Sequence, residues 1–276
     1  MLQKMSNVFN FNRLCALIRR QWISVGRIYL MSLVILAGIF IAFYGFNCYK
    51  YFVELKVGNN IGENLFSFRT PLFCILGLFF ITVISGSYFS NLGQKTKAIF
   101  ELMIPASRLE KFLTSIFYTV IVSLSAYFLL FFLVDLAFVS HLRSTGSSIT
   151  TIMDDSGGKL MNDNWIYFFQ LEKSEFLPYF YFLPFLLNAL FLLGSIAYQN
   201  YQYIKTAITM IVYIAIWGLT FAYVMKLRTD NTIGLGNSTG YFHDKNNVLE
   251  ILLVIGIVLT LIFWGLAFLR LKEKEV

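Results

Sequence analysis

Residues 28–48 read IYLMSLVILAGIFIAFYGFNC, a run with no charged side chain. A helix needs about 20 such residues to cross the hydrocarbon of a bilayer, where every backbone N–H and C=O must be paired within the segment itself. Five further stretches outward along the chain meet the same requirement: 71–90, 113–140, 176–198, 204–225 and 248–268. The third is long enough to tilt or to project beyond the bilayer. The fourth contains Pro178 and Pro184, which lack backbone donors and predict a kink near one end. The expectation is an all-α membrane protein with six transmembrane helices.

Composition excludes the alternatives. Of the 276 residues, 58% are hydrophobic and only 13% charged, with a mean hydropathy of +0.68; soluble domains carry about 45–50% apolar and about 25% charged residues. Such a chain is not a soluble enzyme, a disordered protein or a secreted disulfide scaffold. Its 22 basic and 15 acidic side chains leave a net charge of +7. The basic residues sit mostly between apolar runs, which points to lipid headgroups and topology rather than to nucleic acid. Cys15, Cys48 and Cys74 form no C-x-x-C and have no histidine nearby. Apolar packing is their expected role, with a Cys48–Cys74 bond as the alternative. The first apolar run starts too far in and runs too long for a cleavable signal.

Charge also orients the chain. With the N-terminus inside, Lys4, Arg13, Arg19, Arg20, Arg27, Lys95, Lys97, Arg108, Lys111, Lys205, Arg270, Lys272 and Lys274 all face the cytoplasm, alongside only four acids. The other side receives nine basic residues and ten acids, among them Asp154, Asp155, Asp163, Glu172 and Glu175. Lys and Arg near short loops are retained inside, so both termini are expected in the cytoplasm. This divides the chain into an N-terminal segment (1–27), a six-span domain (28–270) and a cytoplasmic tail (271–276).

Two cytoplasmic pieces stand out. In the first, Phe11, Leu14, Cys15, Ile18 and Trp22 recur at helical spacing within an arc of about 100°, and Arg13, Arg20 and Arg27 line the opposite face. A basic amphipathic helix edged by Trp lies in the interface plane, as an elbow that moves with the bundle or as a static anchor. In the second, residues 91–112 read as a short helix, a break at Pro105 and a new helix start. Ser107 and Glu110 stand in the S-x-x-E pattern of a capping box ahead of an apolar run. The resulting hairpin is expected to present Lys95, Lys97, Glu101, Arg108 and Glu110 to the cytosol. The alternative is a solvated loop that only sets topology.

The stretch 89–113, FSNLGQKTKAIFELMIPASRLEKFL, resembles the signature of ABC-2-type transporter permeases of Bacteroidetes-like bacteria, roughly F-S-x-L, a few basic residues, then L-x-L-P-A-S-x-x-E-K-F. Phe89, Ser90, Leu92, Leu102, Pro105, Ala106, Ser107, Glu110, Lys111 and Phe112 match it, and Ile104 stands where Leu is usual. The resemblance implies the membrane subunit of an ATP-binding-cassette exporter in the bacterial inner membrane, paired with a second permease copy or homologue. It also implies a separate ATPase that binds ATP and Mg and docks on a coupling helix here. Lys95, Lys97, Glu101, Pro105, Ser107, Arg108, Glu110 and Lys111 would then form the contact.

No motif in the chain itself binds ATP or performs catalysis. Gly93-Gln94-Lys95-Thr96 lacks the spacing of a phosphate-binding loop and follows a span rather than a strand. His141 and His243 are isolated, so no metal or hydrolase constellation forms. Asp135 lies within the third span and is a candidate for substrate or proton handling, for pairing with a basic group, or for a hydrated vestibule. Gly86 and Ser90 have a spacing that favours close helix packing. The 30 Phe and 16 Tyr are expected chiefly at the lipid surface. Besides the transporter subunit, an ion-coupled carrier and a non-transporting membrane scaffold remain as readings.

Overall fold

The computed structural model describes residues 10–57, 68–90, 106–145, 149–153, 159–163, 167–170, 177–230 and 245–274. Helix α1 runs Phe11–Val57 and α2 Arg69–Tyr88. Helix α3, Arg108–Ile116, continues through a π-helical stretch, Phe117–Val122, into α4, Ser123–Thr145. Strands β1, Ile149–Met153, and β2, Lys159–Asp163, pair antiparallel with Thr151 opposite Met161. Two 3-10 turns, Phe168–Gln170 and Leu177–Phe180, precede α5, Leu183–Ala197. Helices α6, Gln202–Asp230, and α7, Lys245–Lys274, complete the described chain.

Among the described residues, six helical segments are long and apolar enough to cross a membrane: Val25–Lys50, Arg69–Tyr88, Arg108–Ser144, Pro178–Ala197, Gln202–Thr220 and Leu249–Glu273. They coincide with the six stretches read from sequence, to within a few residues at most ends. Two expectations are corrected. The amphipathic segment before residue 28 is not a separate element, because α1 is a single helix of 47 residues; no proline interrupts 11–57, so nothing obliges the helix to stop. Nor do the prolines kink the fourth span. Pro178 lies in the Leu177–Phe180 turn and Pro184 in the first turn of α5, where a missing N–H leaves no bond unmade. They mark the start of the helix.

The chain divides into two compact units, one of residues 1–20, 81–120 and 175–276, the other of residues 21–80 and 121–174. In the first, α5 packs against both α6 and α7. Close approach is permitted by glycine: a Cβ at Gly194 would fall on the Thr206 side chain, and one at Gly256 on the Phe182 ring. The Phe191 and Tyr203 rings lie 5.2 Å apart beside this contact, and the Thr82 and Tyr203 hydroxyls are 3.3 Å apart.

The second unit has an aromatic core. Phe131, buried completely, meets Phe73 at 4.8 Å, Phe168 at 4.9 Å and Phe40 at 5.3 Å between ring centroids. These are edge-to-face contacts, the arrangement that sets the positive rim of one ring against the negative face of the next. The Tyr127 hydroxyl donates to the Phe73 carbonyl at 2.6 Å. Phe40, Phe131 and Phe168 thus build the interior, whereas Phe43, Phe46, Phe79, Phe128 and Phe132 are exposed, as expected of a lipid-facing surface. The aliphatic residues of α1, α6 and α7 carry much of the exposed apolar surface.

Gly194→Leu would drive a branched chain into Thr206 and is expected to cost about 1–3 kcal/mol through overpacking. Gly38→Leu, at a position with nothing within 4 Å, is expected to leave stability unchanged. Thermal unfolding of both variants in detergent checks the contrast.

Candidate functional site

At the start of α3 the capping box read from sequence is present. The Glu110 amide donates to the Ser107 hydroxyl at 3.3 Å, and the Ser107 amide donates to Glu110 Oε2 at 2.8 Å. The other carboxylate oxygen is also engaged: the Asn10 amide donates to Glu110 Oε1 at 2.8 Å and Arg13 Nη2 at 3.1 Å. Glu110 is therefore fully buried, and the expectation that it faces solvent is corrected. Its carboxylate closes two helix starts at once, because the Asn10 carbonyl accepts the first bond of α1, from Leu14, and a helix start leaves amides that need such acceptors. Further along, Leu17 packs on Ala106 and the Tyr118 hydroxyl donates to the Ile18 carbonyl at 2.7 Å. The beginning of α1 is strapped to α3.

This clasp redistributes the residues singled out in the sequence. Arg13 is drawn into the pair with Glu110 (3.1 Å), whereas Arg20, Arg27 and Trp22 are exposed. Arg108 and Lys111 are half-buried, and Ser107 is buried. Lys95, Lys97, Glu101 and Pro105 lie outside the described residues.

A second polar node sits in the same unit. Asn188 on α5, 1% exposed, donates to the Ser85 hydroxyl of α2 at 2.7 Å and to the Thr119 carbonyl at 3.2 Å. Its own oxygen accepts from the Trp264 indole of α7 at 3.3 Å. Thr119 belongs to the π-helical stretch. Widening the helical turn displaces carbonyls from their usual partners, and Asn188 supplies a donor. Sequence reading misses this residue. The available signal is a lone amide within the apolar run Phe185–Leu193, since an isolated polar group in such a run needs a partner helix.

The third node, in the other unit, is built around Asp135. The residue is 2% exposed. Arg69 Nη1 approaches Oδ1 at 3.3 Å, the Tyr44 hydroxyl donates to Oδ1 at 2.8 Å, and the Phe168 amide donates to Oδ2 at 2.9 Å. Arg69, 1% exposed, opens α2, although the sequence alone presents it only as a loop cation. Asp135 is thus paired with Arg69, with the aromatic core around the pair. Cys15, Cys48 and Cys74 are free thiols. No cluster of three or more His, Cys, Asp or Glu able to hold a metal occurs among the described residues.

Comparison with protein-family models, with curated proteins and with solved structures returns no match. The class is defined by the helices themselves: six of them among the described residues are apolar and long enough to span a bilayer, which makes this a multi-pass membrane protein.

Two outcomes test the geometry. Arg69→Met and Asp135→Leu alone should each destabilise by about 3–5 kcal/mol, because each strands a buried charge, while the double variant should lose much less; a double-mutant cycle of detergent unfolding reads the difference. Glu110→Ala should cost about 1–3 kcal/mol by leaving the buried Ser107 amide without its acceptor, and limited proteolysis should then cut near residue 10 faster than in the wild type.

Proposed function

We propose that this chain is the membrane subunit of an ATP-binding-cassette exporter in a bacterial inner membrane, both termini cytoplasmic, working as a pair with a second copy or homologue. A separate ATPase drives it through residues 91–112. The observation that carries this reading is the clasp of Ser107 and Glu110 onto Asn10 and Arg13, at the end of the stretch that resembles the ABC-2 signature. A part that receives force must deliver it to helices without yielding. Here the end of the segment is rigidly capped, and a push on it reaches α1 and α3 together. The surplus of Lys and Arg beside the odd-numbered span starts favours that side as cytoplasmic.

On this reading Lys95, Lys97, Glu101, Arg108 and Lys111 meet the ATPase, whereas Ser107 and Glu110 hold the contact in shape from behind. ATP binding and hydrolysis belong to the partner, whose closure rocks the spans between inward- and outward-open states. An ion-coupled carrier would need an ionisable group free to exchange its proton or ion near the membrane centre. Asp135, which lies farther from a span end than Glu250 does, is instead held by Arg69, Tyr44 and Phe168.

The test is purification of the tagged chain from its native membrane in mild detergent. An ATPase with a phosphate-binding loop should co-purify, and Lys95→Glu with Lys97→Glu should lower its recovery about tenfold. Absence of any such ATPase from the wild-type preparation would overturn the proposal.

A further inference from the structure

The third span changes its hydrogen bonding in mid-course. Phe117–Val122 is π-helical, between the α-helices Arg108–Ile116 and Ser123–Thr145. A π turn bonds i to i+5 and so holds one residue more than an α turn needs, which takes carbonyls away from their usual amides. Two carbonyls of the stretch receive side-chain donors from other helices. Asn188 of α5 donates to the Thr119 carbonyl at 3.2 Å, and the Tyr29 hydroxyl of α1 donates to the Val122 carbonyl at 2.7 Å. Tyr29 is buried, its ring edge-on to Phe80, so a hydroxyl has been carried into an apolar interior to make that bond. Each donor comes from its carbonyl's own compact unit, and the chain passes from one unit to the other after Val120, inside the π stretch.

Hydroxyl side chains crowd the same place. Thr114, Ser115, Thr119, Ser123 and Ser125 lie in or beside the stretch, and no Ser or Thr follows until Ser140. Thr114 Oγ1 donates to the Glu110 carbonyl at 2.7 Å, Thr119 Oγ1 to the Ser115 carbonyl at 2.8 Å and Ser125 Oγ to the Val122 carbonyl at 3.0 Å. In hydrocarbon such hydroxyls satisfy carbonyls whose amides have moved away, so backbone bonds can be exchanged without leaving an acceptor bare.

We propose that Phe117–Val122 is a register switch, with Tyr29 and Asn188 as the latches that hold its π form. In the second form the surplus residue has passed toward α3, where Thr114 and Ser115 stand, and 117–122 is α-helical. Passage toward α4 is opposed by Tyr127, fixed by its bond to the Phe73 carbonyl. As the surplus passes, the residues of the stretch turn by about 100° around the helix axis, while α3 and α4 keep their registers. Ile121, 57% exposed in the π form, then leaves the lipid-facing surface, and the buried Thr119 and Val120 turn with it. So does Tyr118, whose hydroxyl is bonded to the Ile18 carbonyl. The switch therefore links a change at membrane depth to the hold on the beginning of α1. It stands whether or not an ATPase drives the chain, and a π turn kept for packing alone would have no second form.

The test uses the full chain in lipid nanodiscs, with Cys15, Cys48 and Cys74 replaced by alanine. One nitroxide is attached at Ile121→Cys or, as a control, at Leu129→Cys, an exposed position of α4. Register shifts take microseconds to milliseconds, slow enough for the two forms to give separate components in the electron paramagnetic resonance spectrum. Tyr29→Phe keeps the ring and removes only the latch. It is expected to raise the immobilised component at 121 about fivefold and to leave the spectrum at 129 unchanged. Deletion of Val120 removes the surplus residue and is expected to leave a single component at 121. A spectrum at 121 that Tyr29→Phe does not alter, whether of one component or two, overturns the inference. An equal response at 129 reports motion of the whole span and overturns it too. Should the deletion variant not fold, the comparison with Tyr29→Phe decides alone. Failure of an ATPase to co-purify removes the transporter reading and leaves this inference standing.

Discussion

Inside a membrane a polar group has no water to fall back on, and the structure depends on that constraint. A carboxylate, an amide or a displaced carbonyl placed among apolar side chains must be met by a partner from the same chain. Three buried groups follow it, two within spans and one, Glu110, in the segment that leads into the third span. Glu110 gathers two backbone amides and an arginine. Asp135 gathers an arginine, a phenol and a backbone amide. Asn188 engages three other segments through its amide nitrogen and oxygen. Each group is a point where helices far apart in sequence are obliged to meet in one register, which nonspecific apolar contact between helices does not impose.

What is legible in the sequence follows from whether a signal is local. The six spans are local, since a run such as 28–48 leaves the backbone no option but helix. The capping box is local too: Ser107 and Glu110 are three residues apart, and both are in place. The partners of Glu110 are not, because Asn10 and Arg13 lie about a hundred residues upstream. Nothing around either position announces the other. Asp135 stands out as exceptional, yet Arg69 sits at the edge of an apolar run, where a cation ordinarily reports topology rather than burial. Asn188 escapes notice because one amide barely alters the hydropathy of its run.

The prolines teach a related lesson. Apolar composition continues through 176–198, so hydropathy alone places Pro178 and Pro184 inside a helix, where they would bend it. Helix formation obeys hydrogen bonding more strictly than hydropathy. It begins at Leu183, the first point from which the chain runs on with every required donor, apart from the Pro184 position that needs none. The converse holds for α1: polar and apolar character change along it, but with every donor available the helix runs on from Phe11 to Val57.

That late start has a consequence for the crossing itself. At 1.5 Å per residue, the 15 residues of α5 extend about 22 Å, against a hydrocarbon thickness of about 30 Å. Its neighbours α6 and α7, of 29 and 30 residues, have length to spare. The shortfall falls to the Leu177–Phe180 turn, whose 3-10 bonding leaves more of its backbone unpaired than an α-helix would. With its rise of about 2.0 Å per residue the turn makes up much of that difference, so Pro178–Ala197 together still has the length to cross. The two prolines therefore decide where along the crossing the chain changes from a tight turn to an α-helix, and so where the helix on which the other two pack can begin.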